Sequence, residues 1–345
     1  MSTVLIIGAG TFFGRQLCQQ FIHAGWKVVA CSRKALPGSL SLLPIQWYNA
    51  SFRSQSESSL RPLLKVAADA EVVIYAGGHH DPEANHAVLY EEHVVRTANI
   101  LHFCRYLPRL KHYYQTSTVR VAGNYAGLFD ESTKIPDRTH DDAWAGALFA
   151  AEKLVFHADT PFARSVVRLG ELIGSTVTGE FPRISGMYHI LQALSRLQKS
   201  RIPLRKMTFL PFVFSESTRL PLLPVDFAAQ AFQQIVASGY QQPGNTWHIL
   251  GGETGISARI VLAEMMNFMG LDMEPVALPY DRVPKAIWKY FNMPLDMLAT
   301  LNSPTRFHSR NLQACWPELR FPHYKDYAPT LFRYAEEHLF KGGKV

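Results

Sequence analysis

Short apolar runs recur along the first half of the chain, each followed by a longer stretch of helical spacing. The runs are Val4 to Ile7, Trp26 to Cys31, Pro44 to Tyr48, Glu71 to Ala76, Leu110 to Gln115 and Ser165 to Leu169. A strand buried on both faces reads as a continuous β-branched or apolar run, so these segments predict the inside of a layered molecule. Helical patterns lie between them: one closing at Ala24-Gly25, then Ser56 to Asp69, Glu83 to Leu107 and Asp142 to His157. Strands alternating with helices predict an α/β fold with a doubly wound parallel sheet and right-handed crossovers.

Beyond Gly174 the periodicity loosens and Arg, Lys, Pro and Phe become more frequent. The expected division is a dinucleotide-binding domain over 1–174 and a smaller substrate-binding region over 175–345. The last elements of the sheet, within 225–250, interleave with that region. Met187 to Arg201 reads as a basic amphipathic helix and Pro203 to Pro224 as irregular and aromatic. Leu222 to Asp226 leads into a helix ending near Ser238, and Trp247 to Leu250 reads as one more strand. The stripe Trp288, Tyr290, Phe291, Met293 and Met297 reads as core packing in preference to a lipid or acyl surface.

The first strand runs into Gly8-Ala9-Gly10-Thr11-Phe12-Phe13-Gly14 and then a helix. Glycines let the backbone turn sharply and approach a diphosphate held at the helix N-terminus. The spacing is G-x-G-x-x-x-G, with Phe13 where the dinucleotide fingerprint has its third glycine. About 20 positions beyond the turn, where such a fold reads the ribose, stands Ser32-Arg33-Lys34 in place of an acidic residue. Two cations and a hydroxyl suit a 2′-phosphate, so NADP(H) is favoured over NAD(H). Asn49 is placed to meet the adenine edge. Ala76-Gly77-Gly78 suits a close approach to the cofactor, and Thr116-Ser117-Thr118 ends the fifth strand. Ligands of open α/β sheets bind at the carboxyl ends of the strands, so these groups converge on one rim.

The formal charge of +7 favours anionic ligands, yet no Lys/Arg block is long enough to read as a nucleic-acid arm. Cys18, Cys31, Cys104 and Cys315 lack C-x-x-C spacing, which argues against a zinc site or a disulfide framework. His79-His80 reads as ordinary loop histidines, because sequence neighbours do not converge on one metal. No metal is expected, and no apolar stretch reaches membrane-span length. The early first strand leaves no room for a signal peptide, and the expected compartment is cytoplasmic.

These residues together resemble the extended branch of the short-chain dehydrogenase/reductase superfamily, the NAD-dependent epimerase/dehydratase group, over residues 3 to about 250. Gly8 and Gly14 match the outer glycines of that branch's G-x-x-G-x-x-G turn, with Thr11 in the middle glycine's place. Thr116 through Gly123 is similar to its serine- and threonine-rich segment. Counting back from Gly123 puts Thr118 on the catalytic hydroxyl position. Arg168 to Gly174, with Gly170 and Glu171, resembles its Arg-Pro…Gly loop, and Pro224-Val225-Asp226 its Val-Asp helix start. The tail is similar to acyl-thioester reductases of the same superfamily. The resemblance implies a Rossmann-like fold, a nicotinamide cofactor, and a homodimer built on paired helices, with Glu83 to Leu107 and Asp142 to His157 as the implied elements.

The branch's chemistry rests on a Tyr-x-x-x-Lys helix, and the resemblance places Phe149-Ala150-Ala151-Glu152-Lys153 there. Phe149 stands at the tyrosine position, and a phenyl ring has no acidic hydrogen. The dehydratase variant's Thr-Asp-Glu becomes Thr118-Val119-Arg120, which removes both acids; Arg120 either binds an anionic group or pairs with Asp141 or Asp142. Three readings follow. The one favoured by the matching Thr118 and Lys153 is an NADPH-dependent oxidoreductase on a carbonyl or acyl-type substrate, in which those two residues hold carbonyl and ribose while Tyr125, His79 or His140 supplies the proton. Another is a redox-silent dinucleotide-bound sensor, scaffold or assembly factor. In the third, Phe149 inactivates an ordinary reductase or epimerase. The basic residues Arg183, Arg196, Lys199, Arg201, Arg205 and Lys206 would suit a small-molecule or carrier-linked acyl or carbonyl substrate, or are solvated surface charge.

Overall fold

The computed structural model describes residues 1–55, 60–77, 84–133, 142–199, 208–239, 246–278, 282 and 295–340. The apolar runs form strands β1 (Thr3–Ile7), β2 (Lys27–Ser32), β3 (Ile45–Asn49), β4 (Val72–Tyr75) and β5 (His112–Thr118). Short β6 (Gly127–Phe129) follows, then β7 (Ala163–Leu169) and β8 (Glu171–Ile173). Strands β9 (Phe209–Phe212), β10 (Arg219–Leu220), β11 (Leu222–Pro224), β12 (Thr246–Ile249), β13 (Ile256–Ser257), β14 (Glu274–Ala277) and β15 (Thr305–Phe307) complete the set among the described residues.

The main sheet has seven strands in the order β12-β7-β5-β4-β1-β2-β3, and every pairing in it is parallel. That is the doubly wound arrangement the alternating pattern implies, with the order reversing between β1 and β4. Helices α1 (Phe12–His23) and α2 (Leu60–Val66) lie among the first four strands. The long pattern from Glu83 resolves into α3 (His86–Tyr90), a π-helical stretch Glu91–Val95, and α4 (Arg96–Cys104). Helices α5 (Ala143–His157), α6 (Met187–Gln198), α7 (Val225–Ser238) and α8 (Ala258–Phe268) follow.

Alternation along the strands sorts two cores onto the two faces of the sheet. Leu5, Val29, Val73 and Tyr113 pack with α2, α4 and Val155 of α5. Val4, Ile6, Val28 and Tyr114 pack with α1 and α7 on the other face. A third cluster gathers residues from Ile173 to Ala335 around α6, α8 and the helix Tyr324–Tyr334. Within the expected irregular segment Pro203 to Pro224, the residues described from 208 onward instead form short strands, with β9 paired to β14, β10 to β13 and β11 to β8. Strands of two to four residues carry too little alternation to be read from sequence. Most of the stripe from Tyr280 lies outside the described residues, but Met297 and Leu301 are buried in the third cluster.

Candidate dinucleotide and substrate site

Gly8 follows β1 at φ 89°, a conformation that glycine adopts without strain. A Cβ there would lie 2.5 Å from the Gly77 nitrogen, and one at Gly14 would lie 2.2 Å from the Gly8 carbonyl oxygen. The backbones of the β1 and β4 loops therefore touch, and only glycines permit it. The Gly8 and Ala9 N–H groups both donate to the Cys31 carbonyl, at 2.8 and 3.1 Å, which ties the turn to β2. Thr11 caps α1, accepting from the Gly14 N–H at 3.0 Å and donating its hydroxyl to the Ala76 carbonyl at 2.9 Å. Phe13 is buried against Phe232, and half-buried Phe12 meets Phe181 edge-on. The third glycine of the fingerprint is thus replaced by a ring that packs α1 onto α7.

Ser32 lies against this turn, since a Cβ on Gly10 would come within 2.6 Å of its hydroxyl. The Lys34 N–H donates to the same hydroxyl at 3.3 Å. Arg33 reaches the other way, to Glu92 at 3.2 Å. The Asn49 side-chain oxygen accepts from the Trp47 indole at 3.0 Å. Thr116 donates to the Tyr75 carbonyl at 2.9 Å, tying β5 to the end of β4. The Ser117 hydroxyl is buried and has no hydrogen-bond partner among the described residues. Thr118 ends β5 and accepts from the Arg120 N–H at 3.2 Å. At the end of β7, the Gly170 N–H donates to the Ile249 carbonyl and the Glu171 N–H to the Pro221 carbonyl. The structure thus brings the glycine turn, Ser32, Ala76, Gly77, Thr116, Thr118 and Gly170 to one end of the parallel sheet. Gly78, His79, His80, His140 and Asp141 lie outside the described residues, as do Arg201, Arg205 and Lys206. Arg183, Arg196 and Lys199 are exposed. Among the described residues no group of His, Cys, Asp or Glu could hold a metal ion, and no helix is long and apolar enough to cross a membrane.

Of the alternatives open to Arg120, the structure shows pairing with Asp142, at 2.9 and 3.1 Å. Asp142 also caps α5, accepting from the Trp144 and Ala145 N–H groups. The face of α5 turned to the sheet carries Ala145, Leu148, Ala151, Glu152 and Val155. Glu152 is fully buried and accepts from Arg168 of β7 at 2.8, 3.1 and 3.2 Å. Successive helix residues turn by about 100°, so the residue after Glu152 leaves the buried stripe. Lys153 is accordingly exposed, and its ammonium stands 5.1 Å from the centroid of the Phe149 ring. The side chain of α5 buried with Val119 and Val121, directly after Thr118, is Leu148. Trp144, Phe149 and Tyr125 are half-buried around the same cluster, and Tyr125 packs edge-on against Phe129 at 5.7 Å.

Arg168 belongs to a polar group that sequence reading missed. Its guanidinium stacks on Phe129, and Nη1 lies 3.4 Å from His248 Nε2. His248 Nδ1 is 2.9 Å from the His308 carbonyl, so Nδ1 carries the proton and Nε2 the lone pair facing Arg168. Burial, and then the Arg168 charge, push the His248 pKa down to about 3. The available sequence signal was one glutamate on an otherwise apolar helix face.

The family model of the NAD dependent epimerase/dehydratase family matches residues 4–205. The chain belongs to that family. No curated protein matches. Among solved structures, the terminal R domain from the myxalamid PKS-NRPS biosynthetic pathway is similar at TM-score 0.75 and 16% identity, covering 100% of this chain and 93% of that one. A thiolation-reductase di-domain from an archaeal non-ribosomal peptide synthetase gives 0.74 and 16%, over 97% of this chain and 75% of that one. The dTDP-glucose 4,6-dehydratase from Bacillus anthracis str. Ames, in complex with NAD, gives 0.66 and 13%, over 98% and 97%. At these identities the likeness shows the fold.

Proposed function

We propose that this family member binds a nicotinamide dinucleotide along the carboxyl rim, NADP(H) in preference to NAD(H), and acts through the bound state without the family's tyrosine-lysine proton transfer. The tight turn of Gly8, Gly10, Thr11, Phe12, Phe13 and Gly14 fits a diphosphate at the start of α1. Ser32, Arg33 and Lys34 would take a 2′-phosphate, Asn49 the adenine, and Ala76, Gly77, Thr116, Gly170 and Glu171 the nicotinamide half. The dinucleotide, when bound, supplies a hydride donor or acceptor.

The face of α5 turned toward the Thr118 segment carries this reading. On that face Leu148 is buried against Val119 and Val121, with Trp144 and Phe149 half-buried beside it. None of these three side chains exchanges a proton near neutral pH. Lys153, one helical turn after Phe149, is exposed. Saturable NADPH binding without nicotinamide oxidation, across a panel of carbonyl and thioester compounds, is the expected result. Turnover that depends on Lys153 would refute it.

A second reading rests on Tyr125, whose ring sits at the edge of the cluster that holds Leu148 and Val119. It is an NADPH-dependent reductase of a carrier-linked acyl or carbonyl substrate, with Tyr125 as proton donor and Thr118 orienting the oxygen. The likeness to the R domain and the thiolation-reductase di-domain supports that substrate class. Turnover abolished by Tyr125→Phe would select it.

A further inference from the structure

Three arginines from three separate elements meet around one glutamate beside the end of β2. Arg96 of α4 forms a bidentate pair with Glu92, both side chains being 7% exposed. Arg33, after β2, reaches Glu92 Oε1 at 3.2 Å. Arg53, after β3, reaches the same oxygen at 3.8 Å and Glu91 at 3.7 Å. With Arg33, Arg53 and Arg96 facing Glu91 and Glu92, the group keeps one net positive charge.

The placement of Arg53 is built into the fold. The Ala50 N–H donates to the Ser32 carbonyl at 3.1 Å, joining the ends of β3 and β2. Asn99 of α4 donates to the Phe52 carbonyl at 2.8 Å, and the buried Phe52 ring meets Phe103 edge-on. The chain is therefore fastened at Ala50 and Phe52, immediately before Arg53 leaves it. Glu92 sits in the π-helical stretch, whose backbone also accepts from the Tyr75 hydroxyl at 3.2 Å. Arg96 already engages both carboxylate oxygens of Glu92, so Glu92 positions Arg33 and Arg53 without neutralising them. Their side chains stay 48% and 59% exposed, which leaves guanidinium N–H groups facing solvent.

We infer that Glu92 gathers Arg33 and Arg53 into a two-guanidinium clamp for the 2′-phosphate, and that Arg53 is a specificity-determining residue. A dianion matches two guanidiniums held side by side, whereas a bare ribose hydroxyl gains little from either. The inference rests on the NADP(H) reading above and adds a residue from a different strand end.

Calorimetric titration of the full chain with 2′,5′-ADP and with 5′-AMP isolates the one phosphate in question. The wild type should prefer 2′,5′-ADP. Arg53→Ala should lose about tenfold in 2′,5′-ADP affinity, one charge-assisted contact, and keep 5′-AMP affinity within about twofold. Arg109→Ala, another exposed arginine, paired with Asp69, controls for net charge and should change neither. If Arg33→Ala loses affinity while Arg53→Ala matches the wild type, the clamp is refuted and the NADP(H) reading stands. A wild type that binds both probes equally would overturn both.

Discussion

The Lys153 ammonium stands 5.1 Å from the centroid of the Phe149 ring, while Glu152, one residue earlier on α5, is buried against Arg168. On the reading proposed above, the Phe149 and Lys153 pair takes no part in proton transfer. Lys153→Met should therefore leave NADPH affinity within about twofold, and Phe149→Tyr should not create turnover; one proton-transfer group in place would give about 10²–10⁴-fold. Fluorescence titration and nicotinamide oxidation on the same proteins check both.

Glu152→Gln leaves the Arg168 guanidinium buried without its countercharge. The expected loss is about 3–5 kcal/mol in urea unfolding, with dinucleotide affinity of the folded fraction unchanged. Glu152→Gln combined with Arg168→Met should recover part of that loss, because no buried charge remains. Additive losses in the double variant would contradict the pairing.

Gly14→Ala places a methyl group 2.2 Å from the Gly8 carbonyl oxygen. The turn must shift to admit it, so both stability and NADPH binding should fall. Gly25→Ala also meets a positive φ, but its Cβ faces open space. It should cost about 1–3 kcal/mol of stability and spare binding. Comparing the two separates turn geometry from general strain.

His248 is neutral in the fold, with its pKa lowered from 6.5 to about 3. The unfolded chain takes up a proton there below about pH 6.5, so the stability this histidine contributes is full above that pH and is lost as pH falls toward 3. Between pH 7 and 5 the loss is about 2 kcal/mol from this group. In His248→Leu the decline of unfolding free energy over that range should be shallower by that amount. An identical slope would place the acid sensitivity elsewhere.

Much of the fold is legible because β1, β2, β4 and β5 are buried on both faces and read as apolar runs. The glycine turn is legible because close backbone approach admits no side chain at Gly8 and Gly14. The register of α5 is not. Phe149 with Lys153 and Trp144 with Leu148 share one spacing, and that spacing does not reveal Glu152 as the fully buried charge of the helix. The partner of Glu152 lies on the next strand, out of reach of any local pattern. The arginine group around Glu92 is hidden for the same reason: its members leave from the ends of β2 and β3 and from α4.

The most direct measurement is a paired experiment on the wild-type chain: equilibrium titration with NADPH and NADH, then nicotinamide absorbance followed with a panel of carbonyl and thioester compounds. Saturable binding, tighter for NADPH, with no oxidation of the bound nicotinamide is the expected result. Failure to bind either dinucleotide, or turnover that Lys153→Met abolishes, would contradict it.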